Sequence, residues 1–244
     1  MLFKVQILLI PTNNHSILNF QEVRVAGTSA DTSSKLITEI NKVTDELLPD
    51  DLINSFCDKL QLAYGYEIEG MFSMQYLKVE NTADVQARIT GQNPVAQILL
   101  DSSRAHYILL FYNSDKNFIA IYDSLQRFDA DGNPIVSENV CKQVSVMFGQ
   151  IFERQIPCTV DINYEQQTDG YSCGYRAIGA LVDLARRRNP CTSTIRISAI
   201  RDLLDTVLRT ASSRKSLFQS AEIGSKKSIS GSNCMWFSIP NISI

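Results

Sequence analysis

The segment AHYILLFYNSDKNFIAIYDSL, residues 105–125, constrains this chain more than any other. Two near-continuous apolar runs, 105–112 and 118–122, flank the polar loop 113–117. That pattern predicts an antiparallel hairpin buried at the centre of a sheet. Facing residues in such a pair share a constant sum of residue numbers. A loop centred near 114–115 sets His106 opposite Asp123 at the open end of the hairpin, with Cβ atoms roughly 4.5–5.5 Å apart. A carboxylate there accepts from one imidazole nitrogen and leaves the other free as a base. Taken alone, the pair reads equally well as a strand-end histidine and a turn-forming aspartate. The other histidine, His15, lies in the polar stretch PTNNHS with no acid nearby in sequence.

The remaining periodicities alternate between strand and helix. Residues 2–10 and 21–26 read as strands, as do 72–80, 96–100 and 156–162. Apolar residues at helical spacing predict helices over 31–47, from Pro49 onward with Asp50 or Asp51 as cap and Ile53, Phe56, Leu60 and Ala63 inward, over 137–152, from about Ser172, and over 196–210. Residues 211–233 are rich in Ser and Lys with little periodicity and read as a flexible linker. The apolar end CMWFSIPNISI reads as a strand folding back or as a binding segment. The domain reading is therefore a globular unit over 1–210, with 1–46 as an extension, followed by a tail over 211–244.

The nucleophile candidate sits in QQTDGYSCGYRAIGALVDL. Cys173 lies between a Gly-containing turn and the first turn of an apolar helix, where the positive end of the macrodipole favours a thiolate. Gly170 and Gly174 permit a tight turn and close approach of a substrate backbone. Gln167 is a side-chain amide placed to donate to an oxyanion. By itself Cys173 reads as a buried thiol capping a core helix. A thiol, a base, an orienting acid and an oxyanion amide together form the complete set that acyl transfer requires.

HYILLFYN with YDSLQ, followed by QQTDGYSCG, resembles the ubiquitin-like-protein-specific cysteine proteases: the SUMO and NEDD8 proteases, bacterial effector deubiquitinases and, more distantly, the adenovirus protease. The family pattern has a His opening a strand, an Asp 17 residues on in D-S-L, then Q-x-x-G-x-x-C-G, as here from His106 to Asp123 to Cys173. LLPDDLINSF, residues 47–56, resembles the family's modifier-contacting helix start and brings in Asp50. The resemblance implies an α+β, papain-like cysteine protease fold with a central mixed or antiparallel sheet flanked by helices and the catalytic Cys at a helix N-terminus. It implies cleavage after the C-terminal Gly of ubiquitin or a ubiquitin-like modifier, by a monomer that uses no metal or cofactor. Cys173, His106, Asp123 and Gln167 take the catalytic roles, and Tyr107, Asp50, Gly170 and Gly174 bind substrate. Tyr107 stands where the family usually has Trp, and Ser172 where it often has Asp.

Composition narrows the alternatives. A formal net charge of −3 and a pI near 5.5 give no basic face for nucleic acid. Six cysteines, none spaced as CxxC, point to a reducing compartment, hence the cytoplasm or delivery of an effector into a host cytosol. The N-terminus lacks the basic leader and cleavage site of a classical signal peptide, and no run reaches the ~18 apolar residues of a membrane span. DADGNP, residues 129–134, lacks the closing Glu of a calcium loop and reads as a turn. Two other functions compete. YopJ-type acetyltransferases use a similar His–acid–Cys set with acetyl-CoA, but depend on an inositol polyphosphate that an acidic chain is poorly suited to hold. A non-catalytic modifier-binding module would have no chemical reason to keep all four groups. Among modifiers, ubiquitin is the first choice, and the extension and tail suit a bacterial effector.

Overall fold

A computed structural model describes residues 46–65, 67–229, 231 and 233–241. The strands expected over 2–10 and 21–26, His15, and nearly all of the helix expected over 31–47 lie outside the described residues. In chain order the elements are α1 (Asp50–Ala63), β1 (Glu69–Gly70), α2 (Thr82–Ala87), β2 (Val95–Asp101), β3 (His106–Asn113), β4 (Phe118–Tyr122), β5 (Arg127–Phe128), β6 (Pro134–Ile135), α3 (Glu138–Phe148), β7 (Gln155–Asp161), α4 (Cys173–Ala185), β8 (Ser193–Ile195), α5 (Ile197–Arg209), α6 (Lys215–Ser220), β9 (Gly224–Lys226) and β10 (Cys234–Pro240).

The apolar hairpin lies where its composition demands, inside a mixed sheet of order β1-β2-β3-β4-β7-β10. Strand pairs β2–β3, β3–β4 and β7–β10 are antiparallel, and β1–β2 and β4–β7 are parallel. Alternate residues of β3 feed two cores, which is why its sequence is apolar throughout rather than alternating. Leu109 packs with Leu52, Phe56, Ile178 and Leu204 beneath α1, α4 and α5. Ile108 and Leu110 pack with Val140, Val144 and Phe148 of α3 on the opposite face.

Several expectations need correcting. Helix α1 is capped by Pro49 without a side-chain hydrogen bond. Asp50 and Asp51 occupy its first turn instead, where carboxylates favour the dipole. Residues 72–80 form two short 3-10 turns, Met74–Tyr76 and Val79–Asn81, instead of a strand. The reason is a side chain in the ladder's place: buried Gln97 accepts from the Phe72 N–H at 2.8 Å and donates to its carbonyl at 2.9 Å.

The Ser/Lys-rich stretch also departs from its linker reading, because it carries α6 and β9. Arg186, at the C-terminal end of α4, donates to the carbonyls of Phe218 and Ala221, tying α6 to α4. Strand β10 then pairs with all of β7, from Cys234 opposite Asp161 to Pro240 opposite Gln155. DADGNP forms the tip between β5 and β6, with Asp129 accepting from the amides of Asp131 and Asn133, which is the turn chemistry expected. Among the described residues no helix is long and apolar enough to cross a membrane.

Candidate active site

His106 opens β3, directly after a turn that closes the β2–β3 hairpin. Ala105 holds that turn in the left-handed region at φ 48°, an uncommon conformation for a residue with a Cβ. Asp123 follows the last residue of β4. The two do not face each other directly. The register pairs Leu109 with Tyr122, so Asp123 comes level with Ile108, two residues along from His106. The loop is centred one residue later than its polar sequence indicates. Side chains two apart on a strand share a face, so the contact is diagonal, and the outcome survives the shift. His106 Nε2 lies 2.6 Å from Asp123 Oδ1.

The carboxylate is held at both oxygens. Leu125 N–H donates to Oδ1 at 2.8 Å, and Arg104 Nη2 donates to Oδ2 at 2.8 Å. Burial works against the Asp123 carboxylate, but His106 and Arg104 outweigh it and hold the group below the usual carboxylate range. Burial likewise opposes the imidazolium. The hydrogen bonds to Asp123 and to the Cys173 thiol overcome it and raise His106 to about 9. His106 and Cys173 are each 2% exposed and Asp123 is 3% exposed, so the whole chain of groups is withdrawn from water.

Cys173 is the first residue of α4, with Ser172 as its N-cap. The preceding loop is cross-braced. Asp169 accepts from the amides of Tyr171 and Ser172 at 3.0 and 2.7 Å, and from Ser172 Oγ at 2.8 Å. Ser172 Oγ in turn accepts from Arg176 Nε at 3.0 Å. The same loop is stitched to the segment after β4. Gln167 N–H donates to the Ser124 carbonyl at 2.8 Å, and Gln166 Nε2 donates to the Asp123 carbonyl at 3.1 Å. Gln167 is buried. Its Oε1 accepts from Ser124 Oγ at 2.6 Å and its Nε2 donates to the Asp169 carbonyl at 2.8 Å. That orients the amide and leaves its second N–H for another acceptor.

Tyr107 is buried beside the thiol. Burial, then the nearby Asp50 and Cys173 charges, push its phenol up to about 12, so it stays neutral. Asp50 is half-buried at the start of α1, near Tyr107. Its carboxylate accepts from Gln75 Nε2, whose Oε1 accepts from Asn54 Nδ2 at 2.9 Å. The two glycines differ from each other. A Cβ on Gly170 would meet nothing within 4 Å, so that position faces open space. A Cβ on Gly174 would stand 3.0 Å from Leu48 Cβ, 3.2 Å from Tyr107 Cδ2 and 3.3 Å from Ile53 Cδ1. The Cα–H side of Gly174 where a Cβ would stand therefore faces the packed core between α4, α1 and β3, and the glycine allows close helix approach there.

A pair of substitutions separates those roles. Gly174→Val should destabilise the fold by about 1–3 kcal/mol through overpacking. Gly170→Ala should leave stability within about 0.5 kcal/mol, as exposed substitutions do. If substrate passes over Gly170, that variant should raise KM. Thermal melts and steady-state kinetics on both variants check this.

Arg104, Asp101, Ser124, Gln166 and Asp169 belong to the site but carry no motif in the sequence. The available signal was DSSR, residues 101–104, an acid and a base three apart in the turn before His106.

The sequence matches no protein-family model and no curated protein. Among solved structures, the chain is similar to the SUMO protease Ulp1 with its catalytic cysteine oxidized to a sulfonic acid. The TM-score is 0.51 at 13% identity, covering 73% of this chain and 93% of that one. The Ulp1-like SUMO protease catalytic domain of Chaetomium thermophilum overlays at a TM-score of 0.42 and 12% identity, covering 73% of this chain and 87% of that one. At such identity the first likeness shows the fold, an α+β arrangement with a mixed sheet flanked by helices, as expected from the sequence.

Proposed function

We propose that this chain is a cysteine protease that cleaves after the C-terminal glycine of ubiquitin or a ubiquitin-like modifier. The observation that carries the reading is the buried group of Cys173, His106 and Asp123, in which His106 Nε2 lies 2.6 Å from Asp123 Oδ1 and Cys173 is close enough to raise the imidazole. With Asp123 on Nε2, the remaining ring nitrogen, Nδ1, serves the thiol. The Cys173 proton passes to His106 to form a thiolate–imidazolium pair, and the sulfur then attacks the glycine carbonyl carbon. The carbonyl π pair moves onto oxygen, where the free Gln167 N–H and the Cys173 backbone N–H stabilise it. Collapse expels the lysine amine, which takes its proton from His106. Water, deprotonated by His106, then attacks the thioester and releases the thiol. The order of groups at the helix terminus, and the fold's likeness to SUMO proteases, support assigning a modifier as substrate. Tyr107 beside the thiol and Asp50 near Tyr107 are the groups we assign to holding the modifier's tail.

The test is incubation with C-terminal electrophile probes of ubiquitin, SUMO and NEDD8, with Cys173→Ala in parallel. The expected result is a covalent adduct with one probe, absent in Cys173→Ala. If no probe labels the wild-type protein the reading fails, and acetyl-CoA turnover becomes the next assay.

A further inference from the structure

We propose that Arg104 is a positioning residue: its guanidinium fixes the Asp123 carboxylate and, through it, the imidazole that works on Cys173. Without Arg104, Asp123 would be held at Oδ1 alone. Leu125 N–H holds Oδ1 and Arg104 Nη2 holds Oδ2, so the carboxylate presents one fixed oxygen to His106. Arg104 is itself tied at two further points. Its Nε donates to Asp101 Oδ2 at 2.6 Å and its Nη1 donates to the Leu125 carbonyl at 3.1 Å. Asp101 is fully buried, and its other oxygen, Oδ1, accepts from Ser103 Oγ at 2.6 Å and from the Ser103 amide at 3.2 Å. Asp101 is also the strand partner of His106. The guanidinium thus clamps the β2–β3 turn on one side of His106 to the β4 exit on the other. Lysine offers a single point charge and cannot make this three-way contact.

The clamp has an electrostatic consequence. The groups facing His106 are Asp123 from the β4 exit, Cys173 from α4 and Asp101 across β2, with Arg104 behind Asp123. Arg104 offsets the two buried carboxylates. Removing it leaves both free to stabilise the imidazolium, so the His106 titration midpoint must rise.

The inference rests on the proposed role of Cys173 and His106, but its test needs no modifier. The full chain contains only two histidines, so with 15N-labelled histidine the His106 ring signals are assigned by comparison with His15→Gln. Two quantities are read: the exchange-protected, low-field Nε2–H proton with its pH titration, and the rate of Cys173 alkylation by iodoacetamide, followed on the Cys173 peptide. Arg104→Lys should lose the protected proton and slow alkylation about tenfold, as misplacement of a reacting group does. Arg104→Gln should raise the His106 midpoint by roughly half to one pH unit. If bare Asp101 unfolds that variant, Asp101→Asn with Arg104→Gln restores the charge balance, and it too should lose the protected proton. Arg104→Lys with the protected proton intact and wild-type alkylation would overturn the proposal. So would a lowered melting temperature in the glutamine variants with both readouts unmoved in the folded protein. If the modifier probes fail while these signals move as expected, only the substrate assignment is lost.

Discussion

His106→Gln should lower turnover of a modifier–fluorophore conjugate about 10⁴-fold or more while leaving KM within a factor of a few. The imidazole acts twice, removing the thiol proton and then protonating the leaving amine, and it is the group that interacts with both Cys173 and Asp123. Glutamine keeps much of the volume, so the loss reports chemistry more than collapse of the pocket. The pH profile gives a second reading. The folded-state value of about 9 lies above the ordinary histidine value near 6.5. Because the folded value is raised, the stability that His106 contributes is complete below about pH 6.5. It is lost as pH rises through about 9. Wild-type protein should therefore melt at progressively lower temperature across that window, and His106→Gln should flatten the dependence. Turnover should fall on the same alkaline limb as the general acid is lost. Calorimetry and initial rates across pH 6–10 measure both. An activity that keeps rising past pH 10 would remove His106 from the mechanism.

The parts of this site that were legible in the sequence are those set by strand and helix periodicity. An apolar pair with a polar loop could only be a buried hairpin, and that alone brings position 106 near position 123. The end of a helix pattern at Ser172 put Cys173 on a helix terminus. What stayed hidden depends on distances between segments far apart in sequence. Gln97 replacing a strand rung at Phe72, and Leu48, Tyr107 and Ile53 closing on Gly174, leave no periodic trace. A glycine beside a candidate nucleophile suggests substrate access, yet at Gly174 the constraint is helix-to-core distance. Arg104 carries little sequence signal because an arginine in a hairpin turn ordinarily points to solvent. Two buried carboxylates turn it inward here.

Phe218→Ala should cost about 3–5 kcal/mol of stability, although the residue lies in the stretch whose composition reads as linker. Phe218 is 0% exposed. Its ring meets Phe56 of α1 edge-on at a centroid distance of 5.6 Å and Tyr64 at 6.2 Å. Truncation would remove most of a buried aromatic ring and leave a cavity between α1 and α6, because the surrounding helices can relax only partly. It would also loosen the contacts that Arg186 makes with the carbonyls of Phe218 and Ala221, and so the path by which the chain returns to place β10 on the sheet. A change of this size in a chain of this length should lower the melting temperature by roughly 10 °C. Trp236→Ala is the matched control. Trp236 has the larger ring, but it is 63% exposed, with its ring edge-on to Phe118 at 4.9 Å. Its loss should cost about 1 kcal/mol. Equal, small effects from both substitutions would mean that residues 215–220 do not contribute to the stability of the core. The expected asymmetry would mean that one buried aromatic anchors a segment whose composition signals disorder, since a Ser/Lys-rich stretch needs only one well-packed side chain and a few carbonyl contacts to be held in place.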